Sequence, residues 1–346
     1  MRWQADFGRH DLPWQDTRDP YRIWVSEIML QQTQVATVIP YYQRFMERFP
    51  DVLALARADE NEVLQYWSGL GYYARARHLH RAARQVASVG GHFPETAETL
   101  QQLPGVGRST AAAIAAFAYG QRQAILDGNV KRVLARVFAI AGNLAQAAVT
   151  ARLWALAESL LPARNIEAYT QGLMDIGATC CVLRNPRCQS CPLQELCEAC
   201  RQGAVQDYPA PRAARPVPEK SFQMLVVAHQ GRLLLEKRPS QGIWGGLWSF
   251  PEAAEGEDPA KILKERWGLE GRPWATLPPL RHALTHFRLR IYPVCLAVNQ
   301  GSVVTEGPGL QWVETAAVPM AAVPMPVRKL MKLLGEFAVD NPDGVL

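Results

Sequence analysis

From Tyr21 to Ala199 apolar residues recur at three-to-four spacing, interrupted by short turns such as GLGYY, GGHFP and LPGVG. That period predicts a succession of helices. At YPAPRAARPVPEKS the pattern stops, with Pro209, Pro211, Pro216 and Pro218 inside ten residues. So many prolines suit neither a helix nor a central strand, and the stretch is expected to be a stiffened linker. Beyond it the period shortens. FQMLVVAHQGRLLLEKRP predicts a strand, a glycine-containing turn and a second strand, and IYPVCLAV predicts another. A helical domain followed by a smaller mixed α/β domain is the expected organisation.

A chain of 346 residues has room for two cores of ordinary size. Its 48% hydrophobic and 20% charged content excludes wholesale disorder. No apolar run approaches a membrane span, and MRWQADFGRHDLPWQ lacks the apolar core of a signal peptide. A cytoplasmic location with no membrane partner is therefore expected. The net charge of +5 matters through its distribution. Val63 to Pro94 contains no acid but has Arg75, Arg77, Arg81 and Arg84. Between Thr99 and Ala157 the sole acid is Asp127, against Arg108, Arg122, Lys131, Arg132, Arg136 and Arg152. Two such stretches point to a polyanion, most simply a phosphate backbone.

Within IWVSEIMLQQTQV, Glu27 is surrounded by Trp24, Val25, Ile28, Met29 and Leu30. On a continuous helix Glu27, Gln31 and Gln34 would share one face. A polar stripe of that kind ordinarily faces solvent, whereas an ionised carboxylate among apolar side chains is costly. LPGVGRSTAAAIAAFAYG predicts a helix ending near Leu103, a turn, and a new helix from about Arg108. Gly105 and Gly107 leave backbone N–H groups uncovered at the positive end of that helix, an anion site blind to base sequence. Just downstream, ILDGNVKRVLAR places Asp127 at a helix start, where aspartate ordinarily caps. Six of the seven cysteines lie between Cys180 and Cys200, a clustering that favours metal over disulfides. Spacing leaves two sets open. Cys181, Cys188, Cys191 and Cys197 form one, and Cys188, Cys191, Cys197 and Cys200 form another as paired C-x-x-C knuckles. Zinc and a 4Fe–4S cluster both suit four thiolates.

Taken in order, SEIMLQQTQV, GLGYYARARHLH, LPGVGRSTA, ILDGNVKRVLAR and C-x6-C-x2-C-x5-C closely resemble the MutY-type adenine DNA glycosylases of the helix-hairpin-helix superfamily. The likeness runs from about Leu12 to Leu333. It implies an α + α/β architecture: a mostly helical glycosylase domain over 1–205 with its iron–sulfur loop at 180–200, a linker over 206–220, and a Nudix-like 8-oxoguanine-recognition domain over 221–346. It implies a monomeric, monofunctional base-excision repair enzyme whose partner is double-stranded DNA carrying adenine opposite 8-oxoguanine or guanine. It also implies a 4Fe–4S cluster on Cys181, Cys188, Cys191 and Cys197, leaving Cys180 and Cys200 as extras.

The resemblance makes Glu27 the acid that protonates ring nitrogen 7 of adenine and later helps activate water. Burial raises a carboxyl pKa, to about 6 in favourable cases, which suits that role. Asp127 is expected to stay ionised and face the sugar's positive charge. Gln31 and Gln32 are assigned to the disrupted stack and Tyr72 to a wedge beside 8-oxoguanine. Asn129 and Lys131, beside Asp127, are expected DNA contacts. Ser109 stands where the endonuclease III branch has a nucleophilic lysine, and a hydroxyl cannot form a Schiff base.

In the second domain, GGLWSFPEAAEGEDPAKILKERWGLEG resembles a Nudix strand, loop and helix. Ile262 and Arg266 replace two of the three expected glutamates, leaving Glu265, so metal-dependent hydrolysis is not expected. The family's Phe-Ser-His loop has its counterpart in Leu284-Thr285-His286. The rival readings are an endonuclease III-like oxidised-pyrimidine glycosylase/lyase, a non-catalytic lesion-sensing DNA-binding protein, and a Nudix hydrolase of free nucleotides.

Overall fold

The computed structural model describes residues 1–210, 216–298, 307 and 309–340. Of the linker expected over 206–220, positions 211–215, including Pro211, lie outside the described residues. The helices run α1 (Arg2–Phe7), α2 (Pro20–Leu30), α3 (Val35–Arg48), α4 (Val52–Arg57), α5 (Glu60–Trp67), α6 (Ala74–Ser88), α7 (Ala97–Leu100), α8 (Arg108–Tyr119), α9 (Gly128–Val137), α10 (Ala147–Ser159), α11 (Ile166–Asp175) and α12 (Glu198–Arg201). Eight strands, α13 (Pro259–Trp267) and α14 (Met325–Asp340) follow. The chain divides into two compact units, Met1–Ala58 with His78–Ala214, and Asp59–Arg77 with Arg215–Leu346.

In the first unit, local chemistry sets the helix starts. Asp19 accepts the Tyr21 N–H at 2.9 Å with Pro20 at the first helical position, and Asp51 and Thr96 cap α4 and α7 in the same way. α2 buries Trp24, Val25, Ile28 and Met29 and packs on α8. The packing face of α8 includes Ala111, Ala112, Ala115 and Ala116, all buried, and small residues of this kind let two backbones approach closely. α8 stops at Gly120, whose φ of +64° favours glycine.

The glutamine stretch corrects one expectation. α2 ends at Leu30, Gln31 leaves the helix with ψ 113°, Gln32 has φ +58°, and Gln34 caps α3. Glu27, Gln31 and Gln34 therefore do not form a helical stripe. The chain turns between two helices there, closed by the Thr33 N–H on the Leu30 carbonyl at 3.2 Å.

The second unit is built on one mixed sheet of β1 (Glu219–His229), β2 (Arg232–Lys237), β3 (Trp248–Ser249), β4 (Glu252–Ala253), β5 (Gly271–Thr276), β6 (Leu280–Ala283), β7 (Arg288–Val298) and β8 (Leu310–Glu314). Its main path is β3-β2-β1-β7-β5, with β4 on β1, β6 on β7 and β8 on β2. β1 and β7 run parallel from Glu219 opposite Arg288 to Ala228 opposite Ala297, and the other pairs are antiparallel. Met224 to Ala228 are all fully buried, the continuous apolar run expected of a central strand covered on both faces. Leu225, Val227, Leu234, Leu263 and Leu296 form the core beneath α13. β1 starts at Glu219, two residues inside the stretch expected to be linker.

The segment Asp59–Arg77 is held in this second unit by side chains rather than by sheet. The Ser68 hydroxyl donates to the Val323 carbonyl at 2.6 Å and accepts from Arg328 at 3.1 and 3.2 Å. Arg77 donates to the Gly245 carbonyl. Among the described residues no helix is long and apolar enough to cross a membrane.

Leu296→Ala removes a fully buried side chain from the sheet core. It is expected to cost about 2–5 kcal/mol, read as a fall in the denaturation midpoint of the second unit.

Candidate active site

One large cavity in the first unit is lined by the end of α2, the turn before α8, the start of α9 and the end of α11. Glu27, Gln31, Gln32, Gly105, Gly107, Ser109, Asp127 and Asn129 all face it. The fold thus gathers eight of the residues singled out in the sequence, drawn from three separated segments. Lys131 is not among the lining residues. Tyr72, Thr285 and His286 belong to the second unit.

Glu27 sits one turn from the end of α2, with Trp24, Val25 and Ile28 buried around it. Burial, and secondarily the negative charge of Asp127, push its carboxyl from the ordinary 4.5 up to about 8. Asp127 is the N-cap of α9. Its Oδ1 accepts the Val130 N–H at 2.8 Å and its Oδ2 accepts the Asn129 amide at 3.3 Å. Burial raises its pKa as well, while those bonds and the Arg132 guanidinium pull it down. Two carboxyl groups on one cavity are therefore held in unlike surroundings.

The turn before α8 behaves as its glycines require. Gly105 has φ +80°, and a Cβ there would lie 2.8 Å from the His78 Cβ. Nothing stands within 4 Å of where a Cβ on Gly107 or Gly128 would be, so the backbone at both helix starts is open to a ligand. Gln31 Nε2 reaches the Thr110 hydroxyl at 3.3 Å and the Gly105 carbonyl at 3.4 Å, tying α2 to this turn. The Ser109 hydroxyl accepts the Leu126 N–H at 2.9 Å and so fastens the backbone just before Asp127.

The basic stretches are less available than their spacing suggests. Arg136 is 2% exposed. Its guanidinium donates to the carbonyls of Val205, Tyr208, Val182 and Leu183 at 2.7–3.2 Å, and to the Cys181 Sγ at 3.3 Å. Arg132 donates to Asn129 Oδ1 at 2.8 Å, Gly177 O at 2.6 Å and Cys181 O at 2.7 Å. Arg75 is buried over the rings of Trp67 and Tyr72. Arg75 and Arg136 are thus turned inward, while Arg132 is half-buried and lines the large cavity with its guanidinium already on backbone carbonyls. Arg81, Arg84 and Arg152 are exposed, as a phosphate contact requires. Sequence reading also missed Gly177. It lies in a π-helical turn, Ile176–Cys180, where an added Cβ would meet the Asn129 Cβ at 2.5 Å.

Cys181, Cys188, Cys191 and Cys197 line a second, smaller cavity together with Cys180 and Cys200. Among the described residues no three such donors converge closely enough to hold a single ion. In the second unit, the Tyr72 hydroxyl lies 3.0 Å from Thr285 Oγ1. Tyr72 is exposed with φ +49°, at a turn tip, while Thr285 and His286 are exposed in the β6–β7 turn. Ile262 packs on the sheet core. Arg266 donates to Glu236 at 2.6 Å and to the Glu252 carbonyl, and Arg238 pairs with Glu252.

Residues 25–159 match the family model of HhH-GPD superfamily base excision DNA repair proteins, and residues 223–333 match that of the NUDIX domain. An adenine DNA glycosylase of Buchnera aphidicola (subsp. Baizongia pistaciae) is 34% identical over 97% of this chain and 96% of its own. Those of Mus musculus and Homo sapiens are each 36% identical over 95% of this chain, and over 76% and 72% of theirs. The chain belongs to the adenine DNA glycosylase family. Among solved structures, a thermostable thymine-DNA glycosylase is 32% identical over 57% of this chain and 91% of its own, with a TM-score of 0.52. An endonuclease III–DNA complex at 22% identity and TM-score 0.50 shares the fold of the helical part. A family member of this kind carries a helical glycosylase fold together with a Nudix-like α/β domain, as the two units do.

Gly177→Ala presses on the backbone and Cβ of Asn129 rather than on a flexible side-chain tip. It is expected to cost about 1–3 kcal/mol and to slow single-turnover base release, because the start of α9 must shift. Unchanged rate and midpoint would refute the contact.

Proposed function

We propose that this chain hydrolyses the N-glycosidic bond of adenine paired with 8-oxoguanine, and with guanine, in duplex DNA. The observation that carries the reading is the pair Glu27 and Asp127 on one cavity, the first held protonated at neutral pH. The base must leave the stack to meet them, at a cost of a few kcal/mol. Glu27 delivers its proton to ring nitrogen 7 as the bond to the sugar lengthens. Asp127 faces the positive charge that develops on the sugar, its carboxylate favoured by the Val130 and Asn129 donors and the positive end of α9. Glu27, now ionised, then accepts a proton from the attacking water. Gly105 and Gly107 hold a phosphate, and Gln31 and Gln32 border the opened stack.

Ser109 offers no amine, and its oxygen is engaged by the Leu126 N–H, which supports a monofunctional hydrolase without strand cleavage. Tyr72 and Thr285, with hydroxyls 3.0 Å apart, read the opposite base, with His286 beside them. Ile262 in the core and Arg266 on Glu236 support a Nudix-like domain that recognises rather than hydrolyses. Cys181, Cys188, Cys191 and Cys197 would hold a 4Fe–4S cluster, four thiols lining one cavity being the donor set such a cluster takes. When bound, the cluster supplies a structural cross-link. The chain is read as a cytoplasmic monomer.

Single-turnover base release is the test, on duplexes with adenine opposite 8-oxoguanine, guanine or thymine, alongside thymine glycol. Adenine release opposite 8-oxoguanine and guanine without strand scission is expected. Thymine-glycol release with scission, and none of adenine, overturns the reading. Glu27→Gln should lower the rate by about 10²–10⁴-fold, and wild-type activity should fall as pH rises through about 8.

The same shift has a stability signature. A carboxyl of pKa about 8 folded and 4.5 unfolded binds more protons in the folded chain between those values, so wild-type stability falls as pH rises from 4.5 to 8. Glu27→Gln removes that dependence. It is expected to be more stable than wild type by on the order of 1–3 kcal/mol at pH 7, with the gain vanishing below about pH 4.5. A gain independent of pH in thermal melts would contradict the raised pKa.

A further inference from the structure

The cysteine loop contains two thiols that the four-ligand reading does not use. Cys180 ends the π-helical turn and packs with Val133 and Ile176, as an ordinary core thiol does. Cys200 is differently placed. Cys197 is the N-cap of α12, so Cys200 emerges three residues later on the same side of that turn. It lines the same cavity as Cys181, Cys188, Cys191 and Cys197, with Cys188 its neighbour there. α12 is anchored, with Ala199 fully buried and the Arg201 N–H on the Cys197 carbonyl at 3.0 Å.

Six thiols therefore line a space where a cluster of four irons needs four, and of the two extras Cys180 is packed against Val133 and Ile176. We infer that Cys200 is a reserve ligand: when the bond between Cys188 and its iron breaks, Cys200 takes the vacated position. This rests on the cluster reading above. In the exchange the Cys188 thiolate leaves and takes up a proton, while Cys200 gives up its thiol proton and forms the new Fe–S bond. No electron is transferred and no further reactant is needed. The adjacency of Cys200 to Cys188 makes this a replacement in place, without refolding of the loop.

Wild type, Cys200→Ala, Cys188→Ala and the double variant, purified anaerobically, test this by iron and sulfide content per chain. Alanine is used because it leaves no donor at the substituted position. Wild type and Cys200→Ala should hold the full cluster, Cys188→Ala most of it, and the double variant several-fold less. Equal content in Cys188→Ala and the double variant overturns the inference. A second measurement needs no loss of Cys188: iron release to an excess of chelator should be several-fold faster from Cys200→Ala than from wild type, and equal rates overturn the inference. Absence of iron from wild type removes the cluster reading and the reserve ligand with it. Iron in wild type with equal release rates sinks only the role of Cys200.

Discussion

One carboxylate, that of Asp127, holds the beginning of α9 together, and the site depends on it. The side chain closes the helix by accepting the Val130 N–H, and its second oxygen takes the Asn129 amide. An N-cap is ordinarily worth about 1 kcal/mol of helix stability. Here the same bonds also oppose the burial that drives the pKa upward, and the helix dipole works in the same sense. Ser109 fixes the backbone one residue earlier through the Leu126 N–H, and Gly177 leaves room for Asn129 against the π-helical turn. The cap is thus set from three elements at once, which keeps the carboxylate aimed into the cavity.

Glu27 shows the opposite arrangement. Its surroundings are apolar, and the nearest charge that matters is another anion. Desolvation and like-charge repulsion both favour the neutral acid at Glu27, whereas at Asp127 hydrogen bonds and the Arg132 guanidinium oppose the burial, so the two carboxyl groups sit in unlike electrostatic surroundings although they share a cavity. Under the proposed function that contrast suits a glycosidic hydrolysis, in which one group gives a proton while the other bears charge. A glutamate held neutral is also a source of instability at physiological pH.

Much of this was legible in the sequence. The change of period at the prolines, the strand-turn-strand of β1 and β2, the cap at Asp127 and the apolar setting of Glu27 are local features, and local pattern carries them. The errors were of two kinds. The stripe of Glu27, Gln31 and Gln34 failed because periodicity cannot see that α2 ends at Leu30, where Gln32 enters the left-handed region. Arg75 and Arg136 turn inward, and composition does not reveal which carbonyls a guanidinium will satisfy. Arg136 meets backbone from residues 181–208, contacts that exist only once the cysteine loop has folded back on α9. The i, i+4 spacing of Arg132 and Arg136 on the helix headed by Asp127 was the available signal.

That spacing bears on how the two ends of the site are related. Arg132 and Arg136 project from one face of α9 into the loop that carries the cysteines, and between them they take the carbonyls of Gly177, Cys181, Val182 and Leu183. Arg132 also holds the Asn129 oxygen, and Asn129 in turn donates to Asp127. A chain of hydrogen bonds therefore runs from the cysteine loop to the carboxylate at the cavity. If the loop loses its order, Arg132 loses the Cys181 carbonyl and Arg136 its bonds to residues 181–183, which leaves two partly buried cations short of acceptors at a cost in stability. The order of the cysteine loop and the placing of α9 are therefore linked through these two guanidiniums.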